Sequence, residues 1–296
     1  MNGKRMLSIA VVLILVIAIL AGTTGPAMAQ GLQSGNKGGQ PGRLDFTAVL
    51  HGGVTEKFVL GPSDRNGGYV VDVTPLVVSQ DGAYIEKQIL PEFNGKIWVD
   101  MLTLTTPEYI SPLRVHVQAY STADWPHVFQ ADISLEPGSW DGYMVQPSAV
   151  AAGYVIEINP RGAGEPGDRV EKAVMQPEMP DGSWWDVLRL QIPADQSTLQ
   201  AEVIVYQTPA DLPVVMETEL VAEPGVWYGM GVGDPLEGGA YIIEVTPLWD
   251  EPGQVERYTV QPECDGVNWY DVARVMVTPD WPPMALRITV YQVGGD

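Results

Sequence analysis

The 296-residue chain has one cysteine, three histidines, four phenylalanines, and 16 lysines and arginines against 37 aspartates and glutamates. A lone cysteine excludes an intrachain disulfide and a cysteine-rich zinc site. Three histidines leave little room for a histidine-based metal cluster. A formal charge of −21 repels phosphates, so nucleic acid and anionic membrane surfaces are poor partners. No long amphipathic helical pattern runs through the chain. What is present is the composition of a folded protein: 45% apolar and 18% charged residues. The 32 glycines and 25 prolines mark frequent turns. Twelve tyrosines and nine tryptophans dominate the aromatics; these amphipathic rings suit edges and interfaces.

The N-terminus reads as an export signal. Lys4 and Arg5 precede an apolar run from Met6 to Leu20, broken only by Ser8, and Ala27-Met28-Ala29 forms a small-residue cleavage site. The run falls short of the roughly 20 residues that span a bilayer. Residues 1–29 are therefore expected to be removed, leaving no transmembrane segment. No cysteine follows the run to carry a lipid anchor. Residues 30–42 (QGLQSGNKGGQPG) read as a disordered linker. The mature protein is expected to be secreted, extracellular or in the cell envelope. Without disulfides it must be held together by its core, and the remaining length suffices for that.

The rest of the chain repeats itself three times at a spacing of about 86 residues. Pro-Glu, five residues, Trp, one residue, Asp occurs as Pro91-Glu92…Trp98…Asp100, Pro177-Glu178…Trp184…Asp186 and Pro262-Glu263…Trp269…Asp271. Tyrosine-led apolar segments begin at Tyr69, Tyr154 and Tyr241. A third marker is an apolar–Glu–basic triplet: Ile85-Glu86-Lys87, Val170-Glu171-Lys172 and Val255-Glu256-Arg257. The second and third copies share Glu136-Pro137-Gly138-x-Trp140 and Glu223-Pro224-Gly225-x-Trp227; the first has His51-Gly52-Gly53 there.

Within each copy the apolar residues alternate. Val115 and Val117 oppose Arg114 and His116; Ile288 and Val290 oppose Arg287 and Thr289. Turn pairs such as Asn94-Gly95 and Asp181-Gly182 separate the runs. The first copy predicts strands near 44–50, 56–61, 68–75, 83–90, 97–105 and 112–120. The expected fold is all-β: three tandem repeats over 43–122, 123–209 and 210–296, each a small antiparallel β-sandwich of about six strands. Short, proline-containing junctions imply restricted hinge freedom. A rod and a ring of three units remain equally compatible with the residues.

Residues present in all three copies are assigned to the fold, and residues present once are candidates for function. Trp98, Trp184 and Trp269, Tyr69, Tyr154 and Tyr241, and Glu92, Glu178 and Glu263 fall in the first class. Asp100, Asp186 and Asp271 share the Trp face of their segments. Hydrogen bonding to backbone amides, or pairing with Lys87, Lys172 or Arg257, is their expected role. Calcium is the one cofactor their chemistry suggests, since hard cations take carboxylate oxygens; otherwise no cofactor is expected. Cys264 stands where the other copies carry Phe93 and Met179 and reads as a small buried hydrophobe. The single-copy aromatics Trp125, Trp249, Trp281 and Tyr109 lie in loops beside prolines and acids. Exposed aromatic rings beside carboxylates suit sugar binding.

These observations point to a secreted, non-enzymatic repeat protein of a cell envelope or extracellular matrix, binding a glycan or protein surface or assembling with itself. The rivals are an enzyme acting on extracellular polysaccharide through a cleft between repeats, and a filament or surface-layer subunit.

Overall fold

The computed structural model describes residues 43–294 except 65–66, 151 and 234–238, and the backbone only of Arg257. The signal and linker expected over 1–42 lie outside these residues. Strands make up 63% of the structure. Among the described residues there is no helix, and so none long and apolar enough to cross a membrane.

Eighteen strands follow one another along the described chain. They are β1 (Arg43–Leu50), β2 (Thr55–Pro62), β3 (Tyr69–Pro75), β4 (Glu86–Phe93), β5 (Trp98–Thr105), β6 (Leu113–Ser121), β7 (His127–Leu135), β8 (Trp140–Pro147), β9 (Tyr154–Pro160), β10 (Lys172–Glu178), β11 (Trp185–Gln191), β12 (Leu199–Gln207), β13 (Val214–Ala222), β14 (Trp227–Gly233), β15 (Ala240–Pro247), β16 (Val255–Cys264), β17 (Trp269–Val277) and β18 (Met284–Val293). They form six antiparallel sheets of three strands. The orders are β1-β6-β3 and β2-β5-β4, then β7-β12-β9 and β8-β11-β10, then β13-β18-β15 and β14-β17-β16. The same order thus returns every six strands.

The alternation explains which face each strand buries. In β6, Leu113, Val115, Val117 and Ala119 are buried while Arg114, His116 and Gln118 face outward. Opposite sheets contribute to one core: Leu50, Val73 and Val115 from β1-β6-β3 cluster with Leu60, Leu102 and Leu104 from β2-β5-β4. Corresponding clusters form in β7–β12 around Leu135, Leu188 and Val203, and in β13–β18 around Val245, Val275 and Ile288. A fourth cluster draws on all three groups of strands. Val70, Val155 and Ile242, at matching places in β3, β9 and β15, meet there with Tyr206 and Val293.

The groups interlock in a cycle. Phe93 and Trp98 bury in the β7–β12 core, Trp184 packs against the β13–β18 core, and Cys264 and Trp269 bury in the β1–β6 core. Each indole N–H donates to a carbonyl of the group it enters: Trp98 to Gly162 at 3.1 Å, Trp184 to Trp249 at 2.7 Å, Trp269 to Val77 at 2.9 Å. Backbone bonds run the same way, from Val170 N to Pro91 O and from Ile85 N to Pro262 O, both 3.0 Å. Close approach at the centre demands glycine. A Cβ on Gly68 would lie 2.6 Å from Val155, and one on Gly153 would lie 2.4 Å from Ile242.

The two ends of the described chain meet at one side chain. Arg43 pairs with Tyr120 in the β1–β6 ladder and lies over its ring, and Gly294 is packed against the same ring. Joining residue 294 to residue 43 with a short linker and opening the chain between Ala123 and Asp124 is therefore expected to leave the fold intact, because such permutation succeeds where ends are close and junctions exposed. Circular dichroism and a thermal melt within a few degrees of the parent check it.

Candidate functional site

The Glu–basic triplets and the tyrosine-led segments converge on one cavity of about 1290 Å3 lined by all three groups of strands. Its walls include Glu86 and Lys87 of β4, Glu171 and Lys172 beside and in β10, and Glu256 and Tyr258 of β16. Tyr69, Tyr154 and Tyr241 also line it, as do Gln88, Thr103 and Thr105. Successive residues of β10, from Lys172 to Gln176, line it, and Tyr258 of β16 both lines it and packs against the β7–β12 and β13–β18 cores.

Two indoles stand on the cavity wall. Trp140 opens β8 and Trp227 opens β14, 46% and 41% exposed. The Lys172 ammonium lies over the Trp140 ring, 5.4 Å from its centroid, a cation–π contact that fixes the ring. Both tryptophans end the Glu-Pro-Gly-x-Trp motif that the first copy lacks; at the corresponding place in the first sheet, Thr55 pairs with Thr105 through their hydroxyls at 3.1 Å. Further along the same sheet faces, Lys57 bonds Glu92 at 2.6 Å, Arg189 bonds Glu178 at 2.8 Å and Arg274 bonds Glu263 at 2.6 Å. The recurring Glu92, Glu178 and Glu263 thus each hold a base in place on the sheet.

Buried carboxylates lie where one group of strands meets the next. Asp72, Asp100, Glu157, Asp186, Glu244 and Asp271 are all buried. Their charges act on one another across the junctions: Glu157 on Asp100, Glu244 on Asp186, and Asp271 and Asp72 on Lys87. Burial pushes Asp100 up to about 6; the nearby Ser63 hydroxyl works against this and the charges of Glu157 and Asp64 add to it. Burial likewise pushes Asp186 up to about 6, against the hydroxyls of Ser148 and Tyr154 and with the charge of Glu244. Burial also holds the Lys87 ammonium below its ordinary value, while Asp271 and Asp72 pull it back up. Its Nζ donates to Val71 O at 2.7 Å.

Hydroxyls rather than backbone amides satisfy Asp186. Ser148 Oγ donates to Oδ1 at 2.6 Å and Tyr154 OH to Oδ2. Tyr291 OH and Thr246 Oγ donate to Glu244 at 2.6 and 2.8 Å. Asp100, Asp186 and Asp271 stand at three separate junctions rather than around one centre. No group of three His, Cys, Asp or Glu arranged to hold a metal occurs among the described residues.

The single-copy aromatics do not gather. Trp125 packs against the central cluster. Tyr109 donates its hydroxyl to Gly82 O at 2.8 Å, Trp249 offers its carbonyl to Trp184, and Trp281 closes a turn on Thr278 O. None of the four lines the cavity. The aromatics that do, Trp140 and Trp227, occur in two copies of three, and a filter that admits only single-copy residues passes over them. Their one mark in the sequence is the Glu-Pro-Gly-x-Trp motif, present in the second and third copies and absent from the first. Cys264 is buried, with its thiol donating to Ser79 O at 3.3 Å. Comparison of the chain with protein-family models, with curated proteins and with solved structures finds no match.

Proposed function

We propose that this is an exported, non-enzymatic binding protein, built of three tandem β-sandwich units closed into a ring, whose axial cavity takes a saccharide. The observation that carries the reading is the pair of half-exposed indoles, Trp140 and Trp227, on the wall of one cavity also lined by carboxylates, amides and hydroxyls. An indole face takes the C–H face of a sugar ring, and the polar groups fix its hydroxyls. The recurrence of the strand order and the cyclic passage of Trp98, Trp184 and Trp269 into the next group support the ring. The acids of the cavity recur by threes, which fits a repeated scaffold better than a single catalytic carboxylate pair.

Isothermal titration of neutral oligosaccharides tests the reading. Binding is expected, and Trp140→Ala and Trp227→Ala are each expected to weaken it about tenfold, the effect of losing roughly 1.4 kcal/mol of stacking. Unchanged affinity in the double variant, or no binding across a broad panel, would overturn the assignment. Release of reducing ends from a polysaccharide would replace it by the enzyme reading.

A further inference from the structure

Each group of strands reaches the cavity with one cross-strand row, and the three rows differ. In β8-β11-β10 the row is Trp140, Gln191 and Lys172. In β14-β17-β16 it is Trp227, Met276 and Arg257. In β2-β5-β4 it is Thr55, Thr105 and Glu86. Residues opposite one another in a ladder share a face of the sheet. Two groups thus place an indole and a base on the row, and the first places two hydroxyls and an acid. Glu86 stands where the other copies carry Lys172 and Arg257, because the Glu–basic triplet of the first copy sits one residue out of step with the ladder.

The basic side chains described on the cavity wall are already engaged. Lys172 lies over the Trp140 ring, Lys87 Nζ donates to Val71 O at 2.7 Å, and Arg274 Nε donates to Glu263 at 2.6 Å. Glu86 lines the same cavity, is exposed, and makes no ion pair or side-chain hydrogen bond among the described residues. Glu171, just ahead of β10, is in the same condition. The charge of Glu86 acts on the hydroxyl of Tyr84, a cavity-lining neighbour that stays neutral and offers no compensation. Uncompensated carboxylates in the cavity of a chain with a formal charge of −21 draw cations toward it.

We propose, resting on the saccharide reading, that the preferred ligand is an amino sugar with a free, protonated amine, whose ammonium is held by the Glu86 carboxylate. An ammonium meeting a carboxylate makes charge-assisted hydrogen bonds, stronger than those of a neutral hydroxyl in the same place. The indoles take the faces of the sugar rings, and the Thr103 and Thr105 hydroxyls beside Glu86 meet the ring edge. The Trp140 ring already seats an ammonium, that of Lys172, so an amine on the ligand is compatible with the indole wall. A neutral sugar leaves the Glu86 charge to water. A uronic acid brings a like charge against Glu86 and Glu171 and is disfavoured.

Calorimetry in mildly acidic, low-salt buffer compares cellotetraose, the matching tetramer of glucosamine and a uronic-acid tetramer. The glucosamine tetramer is expected to bind about fivefold tighter than cellotetraose, the upper range for an exposed ion pair, and to lose that advantage at high salt. The uronic-acid tetramer is expected to bind most weakly. Glu86→Gln, at an exposed and unpaired position, should abolish the advantage of the amine and leave the affinity for cellotetraose unchanged. Equal binding of the amine and neutral tetramers by the parent, or an advantage that survives Glu86→Gln, would overturn this inference and leave the saccharide reading standing. Loss of the advantage in Glu171→Gln alone would move the contact to Glu171 and overturn the assignment to Glu86. Tightest binding of the uronic-acid tetramer would place the charge contact on Lys172 instead. Absence of binding by all three would remove the saccharide reading and this inference with it.

Discussion

Trp269→Ala is expected to lower the free energy of unfolding by about 3–5 kcal/mol, the usual effect of truncating a fully buried large aromatic. Trp269 is 4% exposed and sits in a core whose other members come from residues 48–119, apart from its neighbour Cys264. Its indole N–H would also leave the Val77 carbonyl without its donor. Trp98, 7% exposed in the β7–β12 core, is expected to behave similarly. Trp184 is only half-buried and should lose less. The order Trp269→Ala and Trp98→Ala well above Trp184→Ala, read as shifts in the urea midpoint, checks the cycle of contacts. Trp281→Ala, at an exposed turn, sets the baseline. If Trp269→Ala falls to that baseline, the first and third groups are not joined in solution and the ring is open.

That prediction depends on something the residues alone did not disclose. The alternation in each Trp-containing segment shows that one face is apolar, and the strands expected near 44–50, 97–105 and 112–120 lie within one or two residues of β1, β5 and β6. Periodicity names the buried face but not the neighbour that buries it. Phe93 and Trp98 sit at the turn between β4 and β5, where a strand pair overhangs its own sheet, and they enter the adjoining core. The aspartates are marked in the sequence by their recurrence, but the side chains that meet them are not. A hydroxyl such as Ser148, 38 residues from Asp186, leaves no pattern in the sequence. The site was legible only as a class of residue: aromatic, beside acids, where copies differ. Of the single-copy aromatics, Trp125 packs against the central cluster, while Tyr109, Trp249 and Trp281 stand exposed outside the cavity.

The buried acids reverse the usual effect of acid on stability. Asp186 is pushed up to about 6 in the folded protein, whereas an aspartate in an unfolded chain titrates near 4. Between those values the folded state keeps a proton that the unfolded state has lost. The contribution of Asp186 to stability is then greatest below about pH 4, falls as the pH rises to about 6, and levels off above it. Two pH units of displacement correspond to roughly 3 kcal/mol at most for this one group. Asp100 adds a second contribution of the same sign. Self-repulsion among the many surface carboxylates also weakens on acidification and acts in the same direction, so a control is needed. Melting temperatures from pH 4.5 to 7.5 are expected to fall in the parent and in Glu223→Gln, an exposed acid, by similar amounts. In Asp186→Asn the fall should be clearly smaller, because the displaced proton is gone. Loss of one acceptor for Ser148 or Tyr154 lowers the whole Asp186→Asn curve without changing its slope. A melting temperature that rises across this range, or an equal slope in Asp186→Asn, would mean that Asp186 ionises in the fold as it does in water. The close approach of Asp186 and Glu244 across the junction would then have to be relieved by water or a bound cation rather than by a retained proton.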